Sequence, residues 1–314
     1  MSRADLPVKA VPPLVTIGIP CFNAAATIEA TLADALAQDH PELEIVVSDN
    51  GSTDRTAETC SGLAGDDPRF RLHVNEENLG WQANFRTLLA MAEGEYFMWL
   101  GADDRVAPTF VTMNLQELIS DPDLVASISR VGWLHEGRLG AEAPGTMPLS
   151  GSPSENVATY LRHARDNSRF YGLYRTDVLR SCFPESNFYG LDLAIVARTL
   201  AMGNHARVDD VLMWRERTDP DSYVRYVDAD ASGVIDRLVP FRKATRDLRC
   251  GTAPLSTTAW QWLAVRNGYE HVRYWGHVEN RYGRSLRRVL PLVERMREKV
   301  VSRPLDAGSP VAQR

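Results

Sequence analysis

Asp103 and Asp104 directly follow a bulky apolar run, Tyr96 to Leu100. Neighbouring carboxylates at a strand end suit one hard divalent cation, Mg2+ or Mn2+, with substrate phosphates completing its shell. The same dipeptide also reads as a solvated acidic turn leading into a helix. A second polar cluster, Asp49-Asn50-Gly51-Ser52-Thr53-Asp54, ends another apolar run. Turn formation and helix capping account for Ser52 to Asp54. They account less well for Asp49, at the tip of a strand, where a carboxylate can accept hydrogen bonds from a base or ribose. Other chemistries lack their residues. No GxGxxG follows a strand and no GxxxxGK[ST] occurs. The cysteines Cys21, Cys60, Cys182 and Cys250 form no CxxC pair or zinc-spaced cluster, which points to reduced thiols in a cytoplasmic protein.

These loops need a frame to bring them together. Leu14 to Ile19 reads as a buried strand stopped by Pro20, with Asn23 placed to cap a helix carrying Ile28, Leu32 and Leu36. Leu43 to Val47 predicts a second strand, and Arg69 to Val74 a third. Asn78 can cap a helix bearing Trp81, Phe85, Leu88 and Leu89. Tyr96 to Leu100 is a fourth strand, Phe110 to Ile119 a helix, and Leu124 to Leu134 a strand. Such alternation implies a mainly parallel sheet with helices on both faces. Ligands bind outside the carboxyl ends of such strands, where the loops after Pro20, at Asp49 and at Asp103-Asp104 gather.

The chain has 314 residues, 44% apolar and 24% charged, as in soluble globular proteins. Its net charge of -6 argues against a nucleic-acid-backbone partner. Residues 1–13 predict a flexible leader, and no stretch approaches the ~20 apolar residues of a membrane span. Residues 135–156 are rich in Gly, Pro and Ser and read as a loop, a candidate lid. Arg169 to Arg175 predicts a strand, Leu191 to Met202 a helix, and Ala206 to Trp214 a strand, with His205 in a loop. Helices fill residues 231–303, and 304–314 predict a disordered tail. Residues 266–303 hold ten Lys/Arg against four Asp/Glu. That basic stretch fits peripheral contact with anionic lipid, or packing on the catalytic domain or a second subunit as a homodimer.

Three ordered blocks, VTIGIPCFNAAATIEATLADAL, EIVVSDNGSTDRT and NEENLGWQANFRTLLAMAEGEYFMWLGADD, resemble family 2 glycosyltransferases of the GT-A fold. The resemblance implies a catalytic domain over residues 14–230, with a donor half at 14–130 and an acceptor half at 131–230. It implies that Pro20, Phe22 and Asn23 line the nucleotide site and that Asp49 reads the base, with Asn50 where many members carry a second Asp. Asn78, Gly80, Asn84 and Ala102 would lie near the nucleotide. Asp103 matches the last residue of the metal-binding DxD motif, whose first position is Gly101 here, and Asp104 would supplement it. Asp192 matches the general base of inverting members; as a structural residue it would instead complement a helix dipole. Tyr174, Arg215 and Arg217 are expected phosphate or acceptor contacts. The implied reaction moves a sugar from a UDP-, GDP- or dTDP-linked donor to a carbohydrate, lipid-linked or natural-product hydroxyl. The alternative is a sugar-nucleotide-binding scaffold of the same fold without turnover.

Overall fold

The computed structural model describes residues 11–135, 138–164, 167–216, 227–228, 231, 233–251, 255–277 and 281–301. The expected leader (mostly), the tail and Arg217 lie outside the described residues.

Four strands, β1 (Val15–Cys21), β2 (Leu43–Asp49), β3 (Phe70–Val74) and β4 (Tyr96–Trp99), alternate with α1 (Ile28–Leu36), α2 (Thr56–Ala64) and α3 (Trp81–Met91). Every residue of β1, β2 and β4 is buried, as a parallel sheet covered on both faces requires. Polar side chains inside it are paired: Thr16 Oγ1 donates to Glu44 Oε2 at 2.5 Å, and Arg71 closes on Glu44 at 2.6 Å. The chain continues through β5 (Arg105–Val106), α4 (Phe110–Ser120), β6 (Leu124–His135), β7 (Arg138–Glu142) and α5 (Pro153–His163). A 3-10 turn (Ser168–Tyr171), β8 (Leu173–Arg175), α6 (Thr176–Cys182), α7 (Leu191–Met202) and β9 (Asn204–Glu216) follow. The C-terminal helices are α8 (Val234–Leu238), α9 (Arg242–Gly251), α10 (Thr257–His277) and α11 (Arg281–Val301).

The strand order is β3-β2-β1-β4-β8-β6-β9-β5, with β7 paired to β6. Strands β1, β2, β3 and β4 run parallel, as do β6 and β9, while β5, β7 and β8 pair antiparallel. The order reverses between β1 and β4, which opens a crevice at their carboxyl ends. The halves are welded below it: the Trp99 ring stacks on Phe170 at 4.5 Å, and Trp99 Nε1 donates to the Phe85 carbonyl at 3.1 Å. Arg198 of α7 pairs with Asp247 of α9 at 2.6 Å, fastening the C-terminal helices to the second half.

Several local expectations change. The 135–156 stretch is no free lid. Part of it is β7, hairpinned onto β6; Leu149 bridges His205; and the buried Arg169 guanidinium donates to the Gly145 and Met147 carbonyls. Pro153 then opens α5 behind a Ser152–Glu155 capping box. Within 169–175 only Leu173–Arg175 is strand, because the 3-10 turn brings Phe170 down onto Trp99. His205 is a buried residue of β9, with Nε2 3.1 Å from Thr199 Oγ1. Asn23 and Asn78 cap neither predicted helix; Thr27 and Gly80 stand at those positions.

Gly51 adopts φ +72°, and a Cβ there would lie 2.8 Å from the Glu77 carbonyl carbon. Gly51→Ala combines a left-handed backbone with that clash and should cost about 1–3 kcal/mol. Urea unfolding of the variant measures it.

Candidate active site

The loops after β1 and β2 are zipped together. The Asn23 and Ala24 amides donate to Ser52 Oγ and Thr56 Oγ1, both at 2.8 Å, and Asn23 Oδ1 accepts from the Thr53 amide at 2.9 Å. Asn23 holds φ +48°, a region that Asn tolerates better than most residues. Pro20 is buried at the end of β1, while Phe22 is 45% exposed and presents an aromatic ring beside this seam. Asp49, at the last position of β2, is 1% exposed; its Oδ1 accepts from the Ser52 amide at 3.1 Å and from the Ser52 hydroxyl. One oxygen of this carboxylate thus serves the turn.

Asn50 is a fastener. Its Nδ2 donates to Asn78 Oδ1 at 2.9 Å and to the Gly80 carbonyl at 3.2 Å, while its Oδ1 accepts from Asn75 Nδ2 and the Leu79 amide, both at 3.1 Å. Asn84 works beside it, taking the Ser48 hydroxyl at 2.6 Å and donating to the Ser48 carbonyl at 2.9 Å. These amides lock residues 75–84 onto the end of β2. Their polar atoms are occupied by protein, so Asn50 and Asn84 shape the crevice rather than offering free groups to a ligand.

The two acidic residues after β4 have different fates. Asp103 is exposed beside Ala102 and enters no ion pair among the described residues. Asp104 is 3% exposed; its Oδ1 accepts from the Glu216 amide at 3.0 Å and its Oδ2 faces Arg215 Nε at 3.4 Å. Burial pushes the Asp104 carboxyl up to about 6, with Arg215 pulling the other way. Gly101 makes this tuck possible, since a Cβ there would sit 2.7 Å from Asp104 Oδ2. Asp104 is thus committed to Arg215 and Glu216, which corrects the expectation that it supplements a metal.

Among the described residues no three His, Cys, Asp or Glu side chains group to cage an ion. A magnesium-like cation needs no such cage; one carboxylate plus substrate phosphates and water suffices. Asp103 fits that limited role.

Arg215 ties several elements together. Besides Asp104, its Nη1 donates to Ser168 Oγ at 3.2 Å, and its guanidinium lies over the Tyr171 ring, 4.2 Å from the centroid. The Tyr171 hydroxyl is pushed up by burial and feels Arg215, Asp104, Asp103 and Asp192. Asp192 is half-buried in the first turn of α7, after Gly190 at φ +85°. Its Oδ2 accepts from Asn167 Nδ2 at 2.8 Å, and Asn167 Oδ1 accepts from the Tyr160 hydroxyl at 2.5 Å. Tyr160 thereby orients the amide so that its NH2 meets the carboxylate.

The expected contact at Tyr174 is corrected too. Tyr174 is fully buried, and its hydroxyl donates to the Arg169 carbonyl at 2.6 Å. Sequence reasoning assigned no role to Asn167, Tyr160 or Ser168. Each is a common polar residue without a motif, and the contact from Asn167 to Asp192 spans 25 positions.

A mixed sheet whose first four strands run parallel, flanked by helices and with acidic loops at its switch point, is the arrangement of the GT-A fold. Residues 16–183 match the family described as Glycosyl transferase family 2. The chain belongs to glycosyl transferase family 2. A chondroitin synthase and a hyaluronan synthase of Pasteurella multocida are each 35% identical over 112 residues. Those matches cover 36% of this chain and only 12% and 11% of the two synthases. Among solved structures, Staphylococcus aureus TarS 1–349 in complex with UDP aligns with TM-score 0.55 and 18% identity, over 92% of this chain and 88% of that one. The mannosyltransferase PcManGT of Pyrobaculum calidifontis, in complex with GDP-Man and Mn2+, aligns with TM-score 0.55 and 20% identity, over 93% and 84%. At such identities the likeness is one of fold.

Asn50→Asp removes two donated bonds and sets an anionic oxygen against Asn78 Oδ1 and the Gly80 carbonyl. We expect a loss of about 1–3 kcal/mol in thermal or urea unfolding, with the fold retained.

Proposed function

We propose that this protein transfers a sugar from a nucleoside diphosphate sugar to an acceptor hydroxyl with inversion at the anomeric carbon. The observation that carries the proposal is the run of contacts joining Asp192 to Arg215 through the consecutive residues Asn167 and Ser168, and Arg215 to Asp104, the neighbour of Asp103. The donor base and ribose would lie along the Phe22–Asn23 and Asp49 seam, with the diphosphate toward Asp103 and Arg215. A divalent cation, when bound at Asp103, supplies positive charge to the departing diphosphate. Arg215, held by Asp104 and Ser168, adds a fixed positive charge on that side.

Asp192 is the base. As the acceptor oxygen bonds to the anomeric carbon, its proton passes to Asp192. The bond from that carbon to the phosphate oxygen breaks, and the nucleoside diphosphate leaves with the electron pair. Asn167 holds Oδ2, leaving Oδ1 for the proton, and so acts as a positioning residue. UDP and GDP donors are favoured over dTDP because TarS and PcManGT are seen with UDP and GDP-Man. The acceptor is a hydroxyl of a carbohydrate, a lipid-linked carrier or a natural product.

Calorimetric titration with UDP, GDP and dTDP, each with and without Mn2+, tests the donor side. One nucleotide should bind, at least about tenfold more weakly without Mn2+ or in Asp103→Asn. Failure of all three with Mn2+ present would reject the donor site. Asp192→Asn should keep that binding and lose about 10²–10⁴-fold in release of nucleoside diphosphate from the matching donor sugar. Asn167→Ala should lower kcat about tenfold with the donor KM unchanged.

A further inference from the structure

We infer that α11 is a membrane-surface anchor that lays its outer edge on an anionic lipid bilayer. This stands apart from the transfer chemistry. Helix α11 has 21 residues and packs along α10. Its apolar residues divide into two groups. Leu290 and Val293 are half-covered, whereas Val289, Leu292 and Met296 are 40%, 50% and 58% exposed. Those three are spaced three and four apart, so they form one continuous stripe along the helix. Three exposed apolar side chains in register are not scattered surface residues.

The neighbouring row decides the partner. Arg288, Arg295 and Lys299 sit four before, three after and seven after Leu292, which places them along one edge of the apolar stripe. All three positions are exposed. The acidic residues Glu294 and Glu298 lie on the far side of the helix from that stripe. Helix α11 carries seven basic and two acidic residues, on a chain whose net charge is -6. An apolar stripe edged by cations on an otherwise acidic protein matches a bilayer interface, where side chains enter the acyl boundary and arginines meet phosphates. A second copy of this chain fits less well, because it would set the same basic row near its own across a two-fold contact. Nucleic acid would leave the apolar stripe unused. Among the described residues no helix is long and apolar enough to cross the bilayer, so the contact is with its surface.

The test is co-sedimentation of the whole protein with extruded vesicles of phosphatidylcholine, alone or with about 30% phosphatidylglycerol. Binding should be at least about tenfold stronger to the anionic vesicles and should weaken steeply with salt. The double variant Leu292→Asp/Met296→Asp changes only exposed side chains. It should lose vesicle binding while keeping its circular dichroism, its melting temperature and any nucleotide binding. Arg288→Glu/Arg295→Glu should weaken anionic binding and leave the weak neutral binding unchanged. The proposal is overturned if the protein ignores anionic vesicles, or if both double variants bind like the parent. Concentration-dependent dimerisation abolished by Leu292→Asp/Met296→Asp, without vesicle binding, would assign the stripe to a second copy instead.

Discussion

The Asp104–Arg215 contact fastens the end of the last long strand to the loop after β4. Asp104 is buried and the Arg215 side chain is largely covered, and breaking a pair of this kind is costly because one ion is left stranded. The pair holds Arg215 above Tyr171 and brings the Glu216 amide onto Asp104. Gly101 belongs to the same arrangement, since a side chain there would press on the Asp104 carboxylate. The missing first acid of the DxD-like segment is therefore accompanied by a structural gain.

The second organising feature is amide chemistry. Asn50, Asn75, Asn78 and Asn84 form a connected network at the end of β2, and Asn167 links Tyr160 to Asp192 across the acceptor half. Side-chain amides suit this task because each both donates and accepts, so a chain of them can be satisfied without net charge. Asp49 closes β2, Asp103 and Arg215 lie at the ends of β4 and β9, and Asp192 opens α7.

The C-terminal helices extend the second half of the domain. Helix α9 is tied to α7 by Arg198 and Asp247, and α10 lies against α5, with Arg266 donating to the Ala164 carbonyl. Because α7 carries Asp192 and α5 carries Tyr160, these helices brace the candidate base from behind. The outermost helix, α11, leaves part of its apolar surface toward solvent.

Much of the frame was legible in the chain itself. Apolar runs of strand length, bounded by Pro41 and Gly94, are short-range signals, and the parallel order of β1 to β4 follows once strands and helices alternate, although β1 runs on through Pro20 to Cys21. The acidic strand ends were legible for the same reason, since a carboxylate closing an apolar run is visible without coordinates. What only the tertiary structure decided was which of those groups is available. Asp103 and Asp104 are chemically identical neighbours, yet one is exposed and the other is consumed by residues more than a hundred positions later. Tyr174 and Tyr171 are three residues apart, yet the first hydroxyl is buried on the Arg169 carbonyl and the second ring lies under the Arg215 guanidinium. Burial and hydrogen-bond partnership are properties of three-dimensional neighbours. Residue types and local spacing therefore specified the sheet and its reactive edge, and long-range contacts specified the division of labour along it.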